Sequence, residues 1–279
     1  MGMTHETDEQ AKLWKGFGGQ GWVEAQAVLD QMFKPFEDLL VEVVSARSRG
    51  AVLDVGCGTG STTLAFARVL GAGGRAVGVD ISDPMIAAAR ARAERQRIPA
   101  TFICASAEDY AFEPAAFDTV VSRFGVMFFT DSVRAFANLR RAAMAGAELR
   151  FIAWRSASEN PFMTTAERAA APLLPDLPAR RADAPGQFAF ANGPRVRAIL
   201  EDSGWADIDV RPIDVACTIA EEDLHLYLTR IGPVARILQD VDHRTHAQIV
   251  ETVRAAFDPY VKGTDVRFTA ACWMVGARA

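Results

Sequence analysis

The stretch VLDVGCGTGS, residues 52–61, places Gly56, Gly58 and Gly60 within five positions at the end of an apolar run. Glycine loses more backbone freedom on folding than any other residue. Such density therefore signals a turn that needs unusual backbone angles, or a ligand that comes close to the main chain. The residues that follow, STTLAFARVL, read as a helix stopped by Gly71. A buried strand, a tight glycine turn and a helix form the opening unit of a parallel α/β sheet.

The same rhythm continues. RAVGVD is a second strand, and DPMIAAARARAERQR reads as a helix with Asp83 as N-cap and Pro84 in its first position. TFICA, FDTVVS, the helix SVRAFANLRRAAMA after Asp131, and AELRFIAW after Gly146 extend the alternation. Strands covered by helices on both faces are apolar throughout rather than alternating, as these are. Upstream, Trp22, Leu29, Met32, Phe33, Phe36, Leu40 and Val43 or Val44 recur with a helical period, and Pro35 marks a kink or a fresh start. After Trp154 the pattern breaks twice. The first excursion contains a short helical piece and Pro172, Pro175, Pro178 and Pro185; the second, from EEDLHLYLTR to DPYVKG, reads as two helices. Between and after them come PRVRAILEDSGW as a helix and DIDVRPIDVACTI and DVRFTAACWMVGA as strands.

Composition removes several classes of function. A net charge of −5 gives no field to attract phosphate backbones or anionic lipid, so nucleic acid is not an expected partner. Cys57, Cys104, Cys217 and Cys272 form no C-x-x-C pair, which argues against a zinc or disulfide framework and for reduced thiols. The start MGMTHETDEQ is polar and acidic, and no apolar run reaches the roughly 18 residues of a membrane span. A soluble, cytoplasmic protein without membrane insertion is expected.

In an open parallel sheet, ligands bind beyond the carboxyl ends of the strands. The glycine loop and the end of the second strand are then neighbours. Asp80 ends that strand, roughly 20 residues past the loop, the spacing at which a carboxylate accepts hydrogen bonds from ribose hydroxyls. A nucleoside is implied. The loop is G-x-G-x-G with Asp54 two positions ahead, and Ser61 stands where the dinucleotide fingerprint G-x-G-x-x-G has its third glycine.

DVGCGTG resembles motif I of the class I S-adenosylmethionine-dependent methyltransferases, GVDIS their second motif and ASAEDYAF their third. FDTVVSRFGVMFF with LRRAAMAGAELRFIAW resembles the fourth motif and following segment of ubiquinone/menaquinone-biosynthesis-type methyltransferases and their small-molecule relatives. WKGFGGQGWVEAQ is similar to their N-terminal lid segment. The main resemblance runs from Val52 to Trp154 and implies S-adenosylmethionine as cofactor. Asp54, Gly56, Gly58 and Gly60 would pass under its methionine part, and Asp80 would hold the ribose. Ile81 and Met85 would wall the adenine, with Ala107 and Glu108 near its edge and Ser106 where the family often has an aspartate or asparagine. Ser122 and Arg123 would approach the methionine end, and Phe124, Met127 and Phe128 would face the acceptor. The cofactor carries an ammonium and a sulfonium but no pyrophosphate, which suits an acidic residue beside the loop.

The expected architecture is α/β: a Rossmann-like, mostly parallel seven-stranded sheet with helices on both faces. Residues 1–48 form an N-terminal helical lid, 49–154 the cofactor-binding core, 155–190 a first cap insertion, 191–220 the core continued, 221–263 a second cap insertion and 264–279 the final strand. The implied reaction is in-line displacement of the methyl group onto an oxygen, nitrogen or carbon of a small, partly apolar or aromatic acceptor, with release of S-adenosylhomocysteine, in a setting of secondary metabolism. The sulfonium brings its own activation, and the protein's main task is to orient the acceptor and exclude water, which can supply several kcal/mol of the barrier. A base is needed only for an acceptor that holds its proton. None is identified; His225 and Tyr227 are candidates, with packing or exposure the alternative. His243 and His246 share a helical face, but without a third ligand they read as a solvated helix start, and no metal is expected. Cys57 lacks an adjacent base. Trp14 and Trp22 are lid anchors or the packed face of a helix. The N/D-P-P-aromatic motif of base-amino methyltransferases is absent, with SRFG in its place. A nicotinamide oxidoreductase and a non-catalytic S-adenosylmethionine-binding protein remain alternatives, and a homodimer stays open.

Overall fold

The computed structural model describes residues 10–45, 50–175, 177, 180 and 184–279. The acidic start of the chain, the end of the expected lid and Pro178 lie outside the described residues. Strands β1 (Ala51–Val55), β2 (Arg75–Asp80), β3 (Ala100–Cys104), β4 (Phe117–Arg123), β5 (Ala143–Trp154), β6 (Ala206–Ala220) and β8 (Asp265–Arg278) lie in the order 3-2-1-4-5-8-6. The first five are parallel, and β8 runs antiparallel between β5 and β6. An eighth strand, β7 (Val261–Lys262), is a two-residue hairpin arm on β8, made possible by Gly263 at φ 67°. It is too short to leave a sequence pattern.

Residues 10–15 form α1, followed by α2 (Phe17–Glu24), α3 (Gln26–Met32) and α4 (Lys34–Ser45). The helix restarts at Lys34, so Pro35 falls in a first turn, where its missing N–H costs no bond. Helices α5 (Ser61–Leu70) and α6 (Asp83–Gln96) connect strands leading away from β1 in one direction, and α7 (Ser132–Ala142) connects β4 to β5 in the other. Right-handed crossovers put α5 and α6 on one face of the sheet and α7 on the other. Helix α4 packs beside α5, and α9 (Gly193–Asp202) beside α7. The N-cap of α6 is Ser82 rather than Asp83, which is the first helical residue.

Strands β5 and β6 both run antiparallel to β8 and hence in the direction of β1. The segments that leave them after Trp154 and Ala220 thus emerge at the end of the sheet that carries the glycine loop. The first contains α8 (Pro161–Ala170). The second holds three helices rather than two, α10 (Leu224–Arg230), α11 (Gly232–Ile237) and α12 (His243–Ala256), because Gly232 at φ 90° and Pro233 interrupt the run. Phe162 of α8 stacks on Phe268 of β8 at 3.8 Å and meets Phe257 and Tyr260 edge-on, giving these helices an aromatic core. Helix α2 touches both α6 and this helical group.

Candidate active site

The glycine loop lies at the switch point where β1 is flanked by β2 and β4. Gly56, Gly58 and Gly60 have φ of 69°, 54° and 84°, in the left-handed region that side chains disfavour. At Gly56 a second demand applies: a Cβ there would come within 2.5 Å of the Cα of Gly125, and one on Gly125 within 2.6 Å of Gly56. Two glycines therefore let the turns after β1 and β4 cross in contact. Phe124, just before Gly125, is itself at φ 67°, a strained angle for a residue with a side chain.

Asp80 lies beside this loop. Its carboxylate accepts from Gly58 N at 2.9 Å and from Ser82 N at 2.9 Å, and the Ile81 N–H also bonds to it. Burial pushes its pKa up to about 6, against the pull of those N–H groups. Met85 Sδ is 3.7 Å from where a Gly58 Cβ would stand, so Met85 and the half-buried Ile81 form an apolar wall next to the carboxylate.

The amino end of α5 carries two carboxylates. Asp54 Oδ2 accepts from the Thr62 and Thr63 hydroxyls at 2.5 and 2.6 Å, and the Ser61 hydroxyl donates to Glu37 of α4. Asp54 Oδ1 is buried and has no partner among the described residues. Burial raises the pKa of Asp54, with the Glu37 charge adding to the rise and Arg123 opposing it. Arg123, at the end of β4, lies over the Phe33 ring and donates to Phe33 O at 3.5 Å. Burial lowers its pKa, while Asp30, Glu37 and Asp54 favour its charge. Arg92 closes the rim by pairing with Asp30 at 2.7 Å and donating to Thr59 O at 2.9 Å.

Other expected site residues are engaged in holding the loops. The Ser122 hydroxyl donates to Val55 O at 2.7 Å and accepts from Gly125 N at 3.1 Å, tying β1 to the turn after β4. Glu108 accepts from Thr130 N at 2.7 Å and Asp131 N at 3.2 Å, so its carboxylate fastens the loop after β3 to the start of α7. Ser106 accepts from Glu108 N at 3.3 Å, next to buried Ala107. Phe124 stacks on Trp154 at 4.7 Å and Met127 Sδ accepts from Trp154 N, so both lie in the core; Phe128 is half-buried, with Trp14 of α1 edge-on at 4.9 Å.

The N-terminal helices are latched over this end. Ser82 Oγ donates to Trp14 O at 2.6 Å, and Trp22 stacks on Phe33. Both tryptophans thus pack, Trp14 on Phe128 and Trp22 on Phe33. A Cβ on Gly19 would collide with Ser82 Oγ, and one on Gly21 with Arg230 O of α10, so α2 fits between the core and the late helices only because it is glycine-rich. Gly19, Gly21, Gly125 and Glu37 were missed by the sequence reading. The signal for Glu37 was a carboxylate on the apolar face of a helix, beside Phe33, Phe36 and Leu40.

Tyr227 does not join the site. It is buried among Phe162 and Met163, with its hydroxyl directed at Met163 Sδ, and burial pushes its pKa up. His225 is exposed in a groove with Glu222, His246, Glu251 and Arg254. His243 is exposed at the start of α12, and no group of three or more His, Cys, Asp or Glu among the described residues is arranged to hold a metal. Cys57 points toward Gly78, and burial raises its thiol pKa well above the usual value.

Residues 52–146 match the family described as a methyltransferase domain, and the fold is that of the class I S-adenosylmethionine-dependent methyltransferases. The chain is 32% identical over 102 residues to nocamycin O-methyltransferase of Saccharothrix syringae, covering 36% of each chain. It is 33% identical over 105 residues to the ubiquinone/menaquinone biosynthesis C-methyltransferase UbiE of Marinomonas sp. (strain MWYL1), covering 37% of this chain and 42% of that one. The alignments thus span less than half the length of these relatives. Among solved structures, the YcgJ protein of Bacillus subtilis superposes with a TM-score of 0.57 at 15% identity, covering 88% of this chain and 98% of that one. No helix among the described residues is long and apolar enough to cross a membrane.

Proposed function

We propose that this chain binds S-adenosylmethionine and transfers its methyl group to a small-molecule acceptor through an oxygen, nitrogen or carbon atom. The observation that carries the reading is the pair of carboxylates, Asp54 and Glu37, at the amino end of α5. A helix N-terminus ordinarily favours an anion such as a pyrophosphate. Here two buried carboxylates occupy that position, which opposes a dinucleotide and favours a cationic ligand.

The remaining groups fit the parts of the cofactor. The unpartnered Asp54 Oδ1 suits an ammonium, Arg123 a carboxylate, the Asp80 carboxylate the ribose hydroxyls, and Met85 with Ile81 an adenine face. The bound cofactor supplies an electrophilic methyl carbon, which the acceptor attacks from the side opposite sulfur. The chain's own part is to orient the acceptor and exclude water beneath Trp14, Trp22, Phe33 and Phe128, worth several kcal/mol when reacting atoms are held in line. No side chain at the mouth stands out as a base, so the reading favours an acceptor that is already nucleophilic or loses its proton to solvent. The names of the two curated relatives, an O- and a C-methyltransferase, support small-molecule chemistry, and that of nocamycin O-methyltransferase supports a role in secondary metabolism.

Asp80→Ala is expected to weaken S-adenosylhomocysteine binding at least tenfold by calorimetry, roughly the loss of a charged hydrogen-bond partner; wild-type affinity in the variant would remove the ribose assignment. Turnover is tested by incubating the protein with methyl-labelled cofactor and a metabolite extract. Label on a small molecule identifies the acceptor. Binding without any transfer would favour a non-catalytic S-adenosylmethionine-binding role.

A further inference from the structure

Three separate parts of the chain meet at Gln10. On α1 it lies one helical turn before Trp14, on the same face, and Trp14 is edge-on to Phe128 at 4.9 Å. Gln10 Nε2 donates to Pro185 O at 3.2 Å, and the next residue, Gly186, donates its N–H to Met127 O at 3.0 Å. The lid, the segment after α8 and the turn after β4 thus converge on one edge of the proposed acceptor mouth. The Pro185 carbonyl requires a donor, which fixes the orientation of the Gln10 amide and turns its oxygen away. That oxygen, Gln10 Oε1, is closed off from solvent and has no partner among the described residues. A buried amide oxygen is ordinarily paired.

Resting on the methyl-transfer reading, we propose that Gln10 is an acceptor-recognition residue. Its Oε1 takes a hydrogen bond from a hydroxyl or N–H on an aromatic acceptor whose ring lies against Trp14 and Phe128. The acceptor class is therefore an aromatic ring bearing a donor, in preference to a purely apolar one. The donor held by Gln10 orients the ring and need not be the atom that is methylated.

The test uses the full chain saturated with S-adenosylhomocysteine and two probes of like shape, 4-ethylphenol and 4-ethylanisole, of which only the first has a donor. NMR titration should show the phenol bound roughly fivefold more tightly, the ordinary net effect of one hydrogen bond. Gln10→Leu should abolish that preference, and Gln10→Glu, which retains acceptor oxygens but loses the bond to Pro185, should keep it. A lid merely loosened by substitution would weaken both probes equally and leave their ratio unchanged. A ratio near one in the wild type, the same ratio in Gln10→Leu, or failure of both probes to bind while S-adenosylhomocysteine binds would overturn the proposal and leave the methyl-transfer reading in place. Failure of S-adenosylhomocysteine itself to bind would instead defeat that reading.

Discussion

Asp80 connects a burial effect to a measurable pH dependence. Its folded pKa of about 6 lies above the ordinary carboxylate value, so the protonated form is favoured by folding. Its contribution to stability is present below the unfolded carboxylate pKa and is lost as pH rises through about 6. Ligand binding has the opposite dependence, because ribose hydroxyls donate to the ionised form. S-adenosylhomocysteine affinity is expected to level off above pH 7 and to fall about tenfold by pH 5, the factor for one pH unit below the pKa. Calorimetry across that range checks this, and a flat profile would show that Asp80 does not bind the ligand in its charged form. Gly125 makes a steric prediction at the same scale. Gly125→Ala places a methyl group 2.6 Å from Gly56 Cα and Val55 O, both backbone atoms that cannot turn aside. A cost of about 2–3 kcal/mol is expected from such overpacking, lowering Tm by roughly 5–10 °C in thermal melts.

Helix α2 is the element that joins α6, on the face of the sheet, to the late helices. Gly19 lets it lie on Ser82 and Pro84 at the start of α6, and Gly21 lets it lie on the backbone of α10. Because Ser82 also donates its N–H to Asp80, the latch and the proposed ribose site share a residue. Gly19→Val should push α2 off α6 while leaving the sheet intact. Stopped-flow release of S-adenosylhomocysteine should be roughly fivefold faster, equivalent to one lost buried contact of ~1 kcal/mol, with no change in far-UV circular dichroism. Elements such as β1, α5 and β2 were legible in the sequence because glycine, proline and apolar runs mark their ends. The α2 contacts were not, since a glycine in a helix reads only as a weak helix former until its neighbour across 63 residues, Ser82 in the case of Gly19, is in place. The break between α10 and α11 was available in Gly232-Pro233, whereas β7 is two residues long and exists only by pairing with β8.

For the whole molecule, topology explains why the glycine loop and Asp80 could be placed together from sequence and the acceptor could not be read. The parallel pairing of β1 with β2 forces Asp80 next to the glycine loop, so a local motif plus strand order is sufficient to bring these residues together. The proposed acceptor recognition rests instead on the convergence of α1, the turn after β4 and the segment after α8, which are far apart in the chain. Apolar residues expected to face the acceptor divide by packing: Phe124 and Met127 belong to the core around Trp154, and Phe128 meets Trp14 of α1. The central claim concerns the charge at the amino end of α5, where Asp54 and Glu37 favour a cationic ligand over a pyrophosphate. Parallel calorimetric titrations of the purified, dialysed protein with S-adenosylhomocysteine and with NAD test it most directly. Micromolar binding of S-adenosylhomocysteine with none of NAD is predicted; binding of NAD in preference would contradict the assignment and make a nicotinamide-dependent function the better reading.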